Sequence, residues 1–90
     1  FIVPSVAATG DNTNYTEYNF INRGTAGAGT TEVANYDFTL ANDCVASKSI
    51  TVTTTAFSLA AGETLIVQAA KVASGLAIGS CHIAIKFQYT

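Results

Sequence analysis

Read as alternating apolar and polar positions, the chain breaks into short strand-like runs separated by turn residues. The clearest run is 81–89, where Cys81, Ile83, Ile85, Phe87 and Tyr89 share one parity and His82, Ala84, Lys86 and Gln88 the other. Successive side chains of a strand point to opposite faces, so the spacing predicts a strand with one large apolar face and one wetter face. Ile83, Ile85 and Phe87 are expected to be buried, and Lys86 and Gln88 to be exposed. Weaker alternation at 15–21 sets Tyr18 and Phe20 against Tyr15, Glu17 and Asn19. Over 32–40, Ala34, Tyr36, Phe38 and Leu40 are expected inward, with Asn35, Asp37 and Thr39 outward. At 48–57 Ile50 and Val52 face in while Thr51, Thr53 and Thr55 face out, and the β-branched run favours a strand. A further strand is predicted at 64–69.

Gly, Asp and Asn mark the breaks. They adopt positive φ at little cost and bond to nearby backbone, so 9–14, 22–24 and 58–63 read as turns. Residues 25–30 are a small-residue loop, and 69–79 is compatible with a short helix or a glycine-softened strand. The first eight residues begin apolar, and Pro4 confines any strand there to a sheet edge. Six or seven short strands with no firm helix predict an all-β fold: a single small β-sandwich domain over 1–90, immunoglobulin-like or similar.

Composition sharpens this in two ways. The apolar share of 49% includes fifteen alanines, so the core is thinner than the figure suggests. A thin core in a small domain calls for a staple, and Cys44 and Cys81 can supply one. A disulfide between them spans roughly 38 residues, and the chain-entropy estimate for that length is about 4 kcal/mol. Such a bond implies an oxidising compartment. The absence of Met, even at position 1, fits a processed chain with its secretory signal removed. The expected location is therefore extracellular or the cell surface.

The second point is charge. Charged residues make up only 11% of the chain, and the four basic ones are Arg23, Lys48, Lys71 and Lys86, scattered in sequence. Nucleic acid or an anionic membrane surface would require a basic patch, so neither is an expected partner. No run of 18 apolar residues appears, so no helical membrane span is expected. A surface so poor in charge offers little repulsion against other copies of the same chain.

Candidate chemistry adds less. His82 is the single histidine and stands on the wetter face of the last strand, the ordinary setting of a solvated strand residue. One histidine and two cysteines fall short of a zinc ligand set, and no metal or cofactor is expected. Asp11, Asn12, Asn14 and Glu17 offer oxygens, yet Thr13 and Tyr15 stand where an EF-hand loop needs ligands, so a polar turn is the reading. Asp37, Asp43 and Glu63 form no recognisable acid/base pair, and no enzyme is expected. Gly24, Gly27 and Gly29 lack the Gly-Lys-Ser/Thr of a phosphate loop. Asn14-Tyr15-Thr16 is an Asn-x-Thr sequon and makes Asn14 a glycosylation candidate. Thr51, Thr53, Thr54 and Thr55 could carry O-linked sugar, although a strand explains them equally well.

Residues 58–67, SLAAGETLIV, resemble a strand–turn–strand phrase of secreted immunoglobulin-like sandwiches. A disulfide ending near the carboxyl terminus resembles pilin head domains, but the hydrophobic helix that defines pilins is not in this sequence. The functional expectation is a structural subunit of an extracellular self-assembling filament or surface appendage. It would associate with copies of itself through strand edges and the apolar segment 1–8, with Phe1, Ile2, Val3 and Val6 at the contact. The alternative is a secreted adhesion or carbohydrate-binding sandwich that uses Tyr15, Tyr18 and Tyr36.

Overall fold

The structure, a computed structural model, describes residues 1–52 and 57–86. It is all-β, with no helix among the described residues, and comprises two small antiparallel sheets. The strands are β1 (Ile2–Pro4), β2 (Tyr15–Asn22), β3 (Thr31–Asp37), β4 (Leu65–Val72) and β5 (Cys81–Ile83). One sheet runs β3-β2-β4 and the other pairs β1 with β5.

Strand β2 is the centre because it is long and rich in the Thr, Tyr, Phe and Ile that fit a pleated surface. It pairs with β4 along its whole length, from Tyr15↔Val72 to Asn22↔Leu65. On its other side Tyr18 faces Tyr36 and Phe20 faces Ala34, with a register shift between Phe20 and Ile21. Tyr18 and Phe20 point inward as their parity predicts. Strand β4 continues through 69–72, so the ambiguous stretch begins as strand and turns only at Ala73 to Gly75, where Gly75 N–H donates to Val72 C=O at 3.0 Å.

Ile2 of the smaller sheet, Phe20 of the larger one, Phe38 and Cys44 make the buried cluster. Phe38 lies edge-on to Tyr18 (centroids 5.7 Å, 80°) and to Tyr36 (5.1 Å, 73°), the geometry favoured by aromatic quadrupoles. Where no strand pairing is available, side chains and single bridges close the fold. Ile2 and Ile50 exchange both backbone bonds, at 2.9 and 2.8 Å, and so do Ala8 and Cys44, at 2.9 and 3.0 Å. Thr16, buried on β2, donates from Oγ1 to Leu76 C=O at 2.8 Å and accepts from Leu76 N–H at 3.3 Å.

Several expectations need correction. Strand β5 ends at Ile83, and Ile83 and Ile85 are exposed (36% and 42%) rather than buried. The reason is partnering: β5 pairs only with the three residues of β1, too short a ribbon to carry both side chains under another layer. Lys86 is exposed as expected, while Phe87, Gln88 and Tyr89 lie outside the described residues. Leu40 is not inward but 58% exposed, because the chain leaves β3 after Asp37 and turns through Thr39 and Asn42. Only Ile50 of 48–52 makes a bridge, although Ile50 and Val52 are half-buried on the expected side and Thr51 is exposed; Thr53, Thr54 and Thr55 lie outside the described residues. The described residues form five strands, while the expected strands at 48–57 and 81–89 run into residues outside them.

Candidate functional site

The amino-terminal segment and the final strand meet at one end of the molecule. β1 and β5 align Ile2 with Ile83, Val3 with His82 and Pro4 with Cys81. The ribbon is extended by Phe1, whose ammonium donates to Ala84 C=O at 2.9 Å and whose C=O accepts from Ala84 N–H at 3.0 Å. The Lys86 ammonium sits 5.1 Å from the Phe1 ring centroid, a cation–π contact at an exposed site. Ile2 and Pro4 are buried in this chain, Val3 is half-buried, and Phe1 and Val6 remain exposed. The segment expected to meet a neighbouring copy thus gives Ile2 to its own core and leaves Phe1 and Val6 on the surface. His82 is exposed on β5, opposite Val3.

Beneath this ribbon lie the two thiols. Neither is bonded to the other: Cys44 is a buried free thiol and Cys81 a half-buried one. Cys44 Sγ donates to Val6 C=O at 3.3 Å, and Tyr18 Oη lies 3.5 Å from Cys81 Sγ. Burial pushes the Cys44 thiol up, and the neighbouring Cys81 pushes it further. Burial likewise raises the Tyr18 phenol well above its usual range, with Cys81 as the next cause. The fold has therefore gathered both cysteines and Tyr18 into one apolar place, although 36 residues separate Cys44 from Cys81 in the chain.

The acidic candidates do not form one site. Asp11 Oδ1 accepts from Thr13 N–H and Asn14 N–H at 2.6 and 2.8 Å, and these bonds lower its pKa. Asn12 Oδ1 caps Leu40 N–H and Asn14 Oδ1 caps Ser74 N–H, both at 3.1 Å. The side-chain oxygens of Asp11, Asn12 and Asn14 are thus spent on backbone N–H groups, while Glu17 lies apart from them within β2. Asp43 Oδ1 takes Gly10 N–H at 2.8 Å. Glu63 accepts from Ala60 N–H at 2.6 Å and from Asn22 Nδ2 at 2.9 Å, and both bonds lower its pKa. Asp37 is different. It stands directly across from Glu17, and burial first, then the Glu17 and Glu32 carboxylates, raise its pKa.

The remaining candidates have structural employment. Transfer of sugar to Asn-x-Thr needs the threonine hydroxyl, and Thr16 is buried with its hydroxyl committed to Leu76, so a glycan on Asn14 has to arrive before folding. Gly24 and Gly27 take positive φ in the β2–β3 loop, and Arg23 Nη1 closes that loop on Gly29 C=O at 3.3 Å. Tyr18 and Tyr36 pack on Phe38, and Tyr15 is half-buried across from Val72. A shallow depression of about 330 Å³ between Ala7, Ala8 and Thr9 and Asp43, Cys44 and Val45 offers one carboxylate, already engaged by Gly10. No family model, curated protein or solved structure matches this chain.

Sequence reasoning missed the Glu17–Asp37 opposition. The two lie 20 positions apart, and only the β2–β3 register brings them together. Alternation had put both outward, which was the only available signal.

Proposed function

We propose that the chain is a structural subunit of an extracellular self-assembling filament or surface appendage, joined to its copies through strand edges. The observation that carries this reading is the exposed apolar surface of the β1–β5 ribbon: Ile83 and Ile85 are exposed on and just beyond β5, whose far side has no strand partner among the described residues, and Phe1 is exposed where it extends β1. Edge strands normally carry charge, proline or a cover against pairing with another chain. Here Pro4 and its ring are turned into the core on β1, and Lys86 is held over Phe1. An added strand would gain main-chain bonds along β5 and cover the isoleucines. The low charge of the whole chain leaves little to oppose such packing. Phe1 and Val6, rather than Ile2, are then the amino-terminal contacts.

Two finer features belong to the same reading. The two sheets face each other as a small sandwich across Ile2, Phe20 and Phe38. Cys44 and Cys81 close a disulfide in the oxidising compartment where such a subunit works, each thiol losing a proton and one electron to a thiol oxidant. Because Cys44 is buried and its pKa raised, that bond forms most readily before the thiol is fully enclosed.

The test is assembly as a function of concentration. Sedimentation velocity and negative-stain microscopy should show the wild-type chain growing into polymers, while Ile85→Lys remains a folded monomer with an unchanged circular dichroism spectrum. A wild-type chain that stays monomeric at high concentration defeats the filament reading and returns the adhesion or carbohydrate-binding module. That module is the weaker reading, since Tyr18 and Tyr36 are occupied by Phe38.

A further inference from the structure

We propose that the free edge of β5 in one copy joins the free edge of β4 in the next, antiparallel, so that a sheet of order β1-β5-β4-β2-β3 runs across each contact. The inference rests on the filament reading and names the surface that receives β5. An edge that pairs with the same edge of its copy closes a two-fold dimer, whereas a growing filament needs two different surfaces that recur on every subunit.

The phase of the hydrogen bonds shows which backbone groups are free. In an antiparallel ladder, residues alternate between bonding one neighbour and turning N–H and C=O to the other side. Phe1 and Ala84 exchange both bonds, and Ser5 N–H donates to Ser80 C=O at 2.8 Å. Cys81, Ile83 and Ile85 therefore turn their backbone groups away from β1. On the larger sheet Phe38 N–H donates to Thr16 C=O, so Thr16 bonds toward β3 and its neighbours Tyr15 and Glu17 bond toward β4. Arg23 N–H donates to Thr64 C=O in the same phase. Leu65, Val67, Ala69 and Lys71 are left with N–H and C=O directed outward, toward no strand among the described residues.

The other outer strand, β3, carries the ordinary protection of an edge. It has the register shift opposite Phe20 and Ile21, the charges of Glu32 and Asp37, and an Asp37 C=O already taken by Thr39 N–H and Asn42 Nδ2. Strand β4 pairs with β2 without a register shift over its eight residues, contains no proline and bears one charge, Lys71, near its end. Such an edge invites another strand.

Side chains and charge set the orientation. With Ile85 opposite Leu65, Ile83 falls opposite Val67 and Cys81 opposite Ala69, and directly opposed residues share a face. Exposed Ile85 and Ile83 then lie against half-buried Leu65 and Val67, and exposed Ala69 is covered. Antiparallel addition brings Lys86 to the Glu63 end of β4 and keeps it from Lys71, while a parallel strand would set the two lysines together. The Glu63 carboxylate is held at that end by Ala60 N–H and Asn22 Nδ2.

Variants blocked on one edge at a time test the contact, each checked for an unchanged circular dichroism spectrum. Ile85→Lys spoils the β5 edge and Ala69→Lys the β4 edge. Ala69→Pro repeats the second block by removing an outward N–H that no strand of the same chain uses. In sedimentation velocity each variant alone should fail to polymerise at tenfold the concentration that suffices for the wild type. Mixed in equal amounts, Ile85→Lys and Ala69→Lys should form a one-to-one pair and stop, because one intact β4 edge meets one intact β5 edge. Polymers undiminished in both Ala69 variants, or a mixture that gives no pair, would overturn this contact while the polymerising wild type keeps the filament reading. A wild-type chain that stays monomeric removes the filament reading itself, and this contact with it.

Discussion

Gly10 shows how far a single position can be constrained by its neighbour rather than by its own torsions. It is buried, and a Cβ built there would meet Thr39 C=O in the opposing segment. Its N–H also holds Asp43. Gly10→Ala must push two backbone segments apart, so it should cost about 1–3 kcal/mol, read from the midpoint of chemical denaturation. Asp37 shows the reverse case, a native residue that is locally unfavourable. Its folded pKa is raised, so the folded state holds the proton more tightly than the unfolded chain does. Its contribution to stability is complete below the unfolded carboxyl pKa and is lost as pH rises through the raised folded value. At pH 7, Asp37→Asn should therefore stabilise the fold, by about 0.2–1 kcal/mol for relief of an opposed like-charge pair. The gain should vanish near pH 3.

At the scale of elements, the turn after β4 carries visible strain. Ala73 sits at φ 55, followed by Gly75 at φ 74, and a β-carbon is disfavoured in that region while glycine adopts it freely. Ala73→Gly should raise stability by roughly 0.5–1 kcal/mol, the strain relieved less the added freedom of the unfolded chain. A loss on denaturation would mean that the turn reshapes around alanine without strain. The strands themselves were legible in sequence to different degrees. Strand β2 was clear, because Tyr18 and Phe20 alternate with polar residues and both edges of the strand are paired. Over 81–89 the alternation was stronger still, yet Ile83 and Ile85 are exposed. Periodicity reports which side chains share a face; it is silent on whether another layer exists to cover that face.

At the scale of the whole molecule, closure depends on links between remote segments: Ile2 with Ile50, Ala8 with Cys44, Thr16 with Leu76. The proposed Cys44–Cys81 bond would add a covalent link to these. Non-reducing mass spectrometry of the native material should find a chain two hydrogens lighter than the reduced one. Reduction should then lower stability by about 4 kcal/mol at most, the chain-entropy value for a loop of that length. Two titratable thiols in the native material would remove the staple from the reading.

Taken by itself, the sequence determined the all-β character, the inward placement of Tyr18, Phe20 and Phe38, and the polar turn at 9–14. These follow from side-chain alternation and turn chemistry, which act within a few residues. Tertiary structure alone decided that Ile2 enters the core, that Cys44, Cys81 and Tyr18 share one apolar place, and that Glu17 confronts Asp37. Those outcomes depend on register and on which strands find partners, and a one-residue slip in register would send every side chain to the other face.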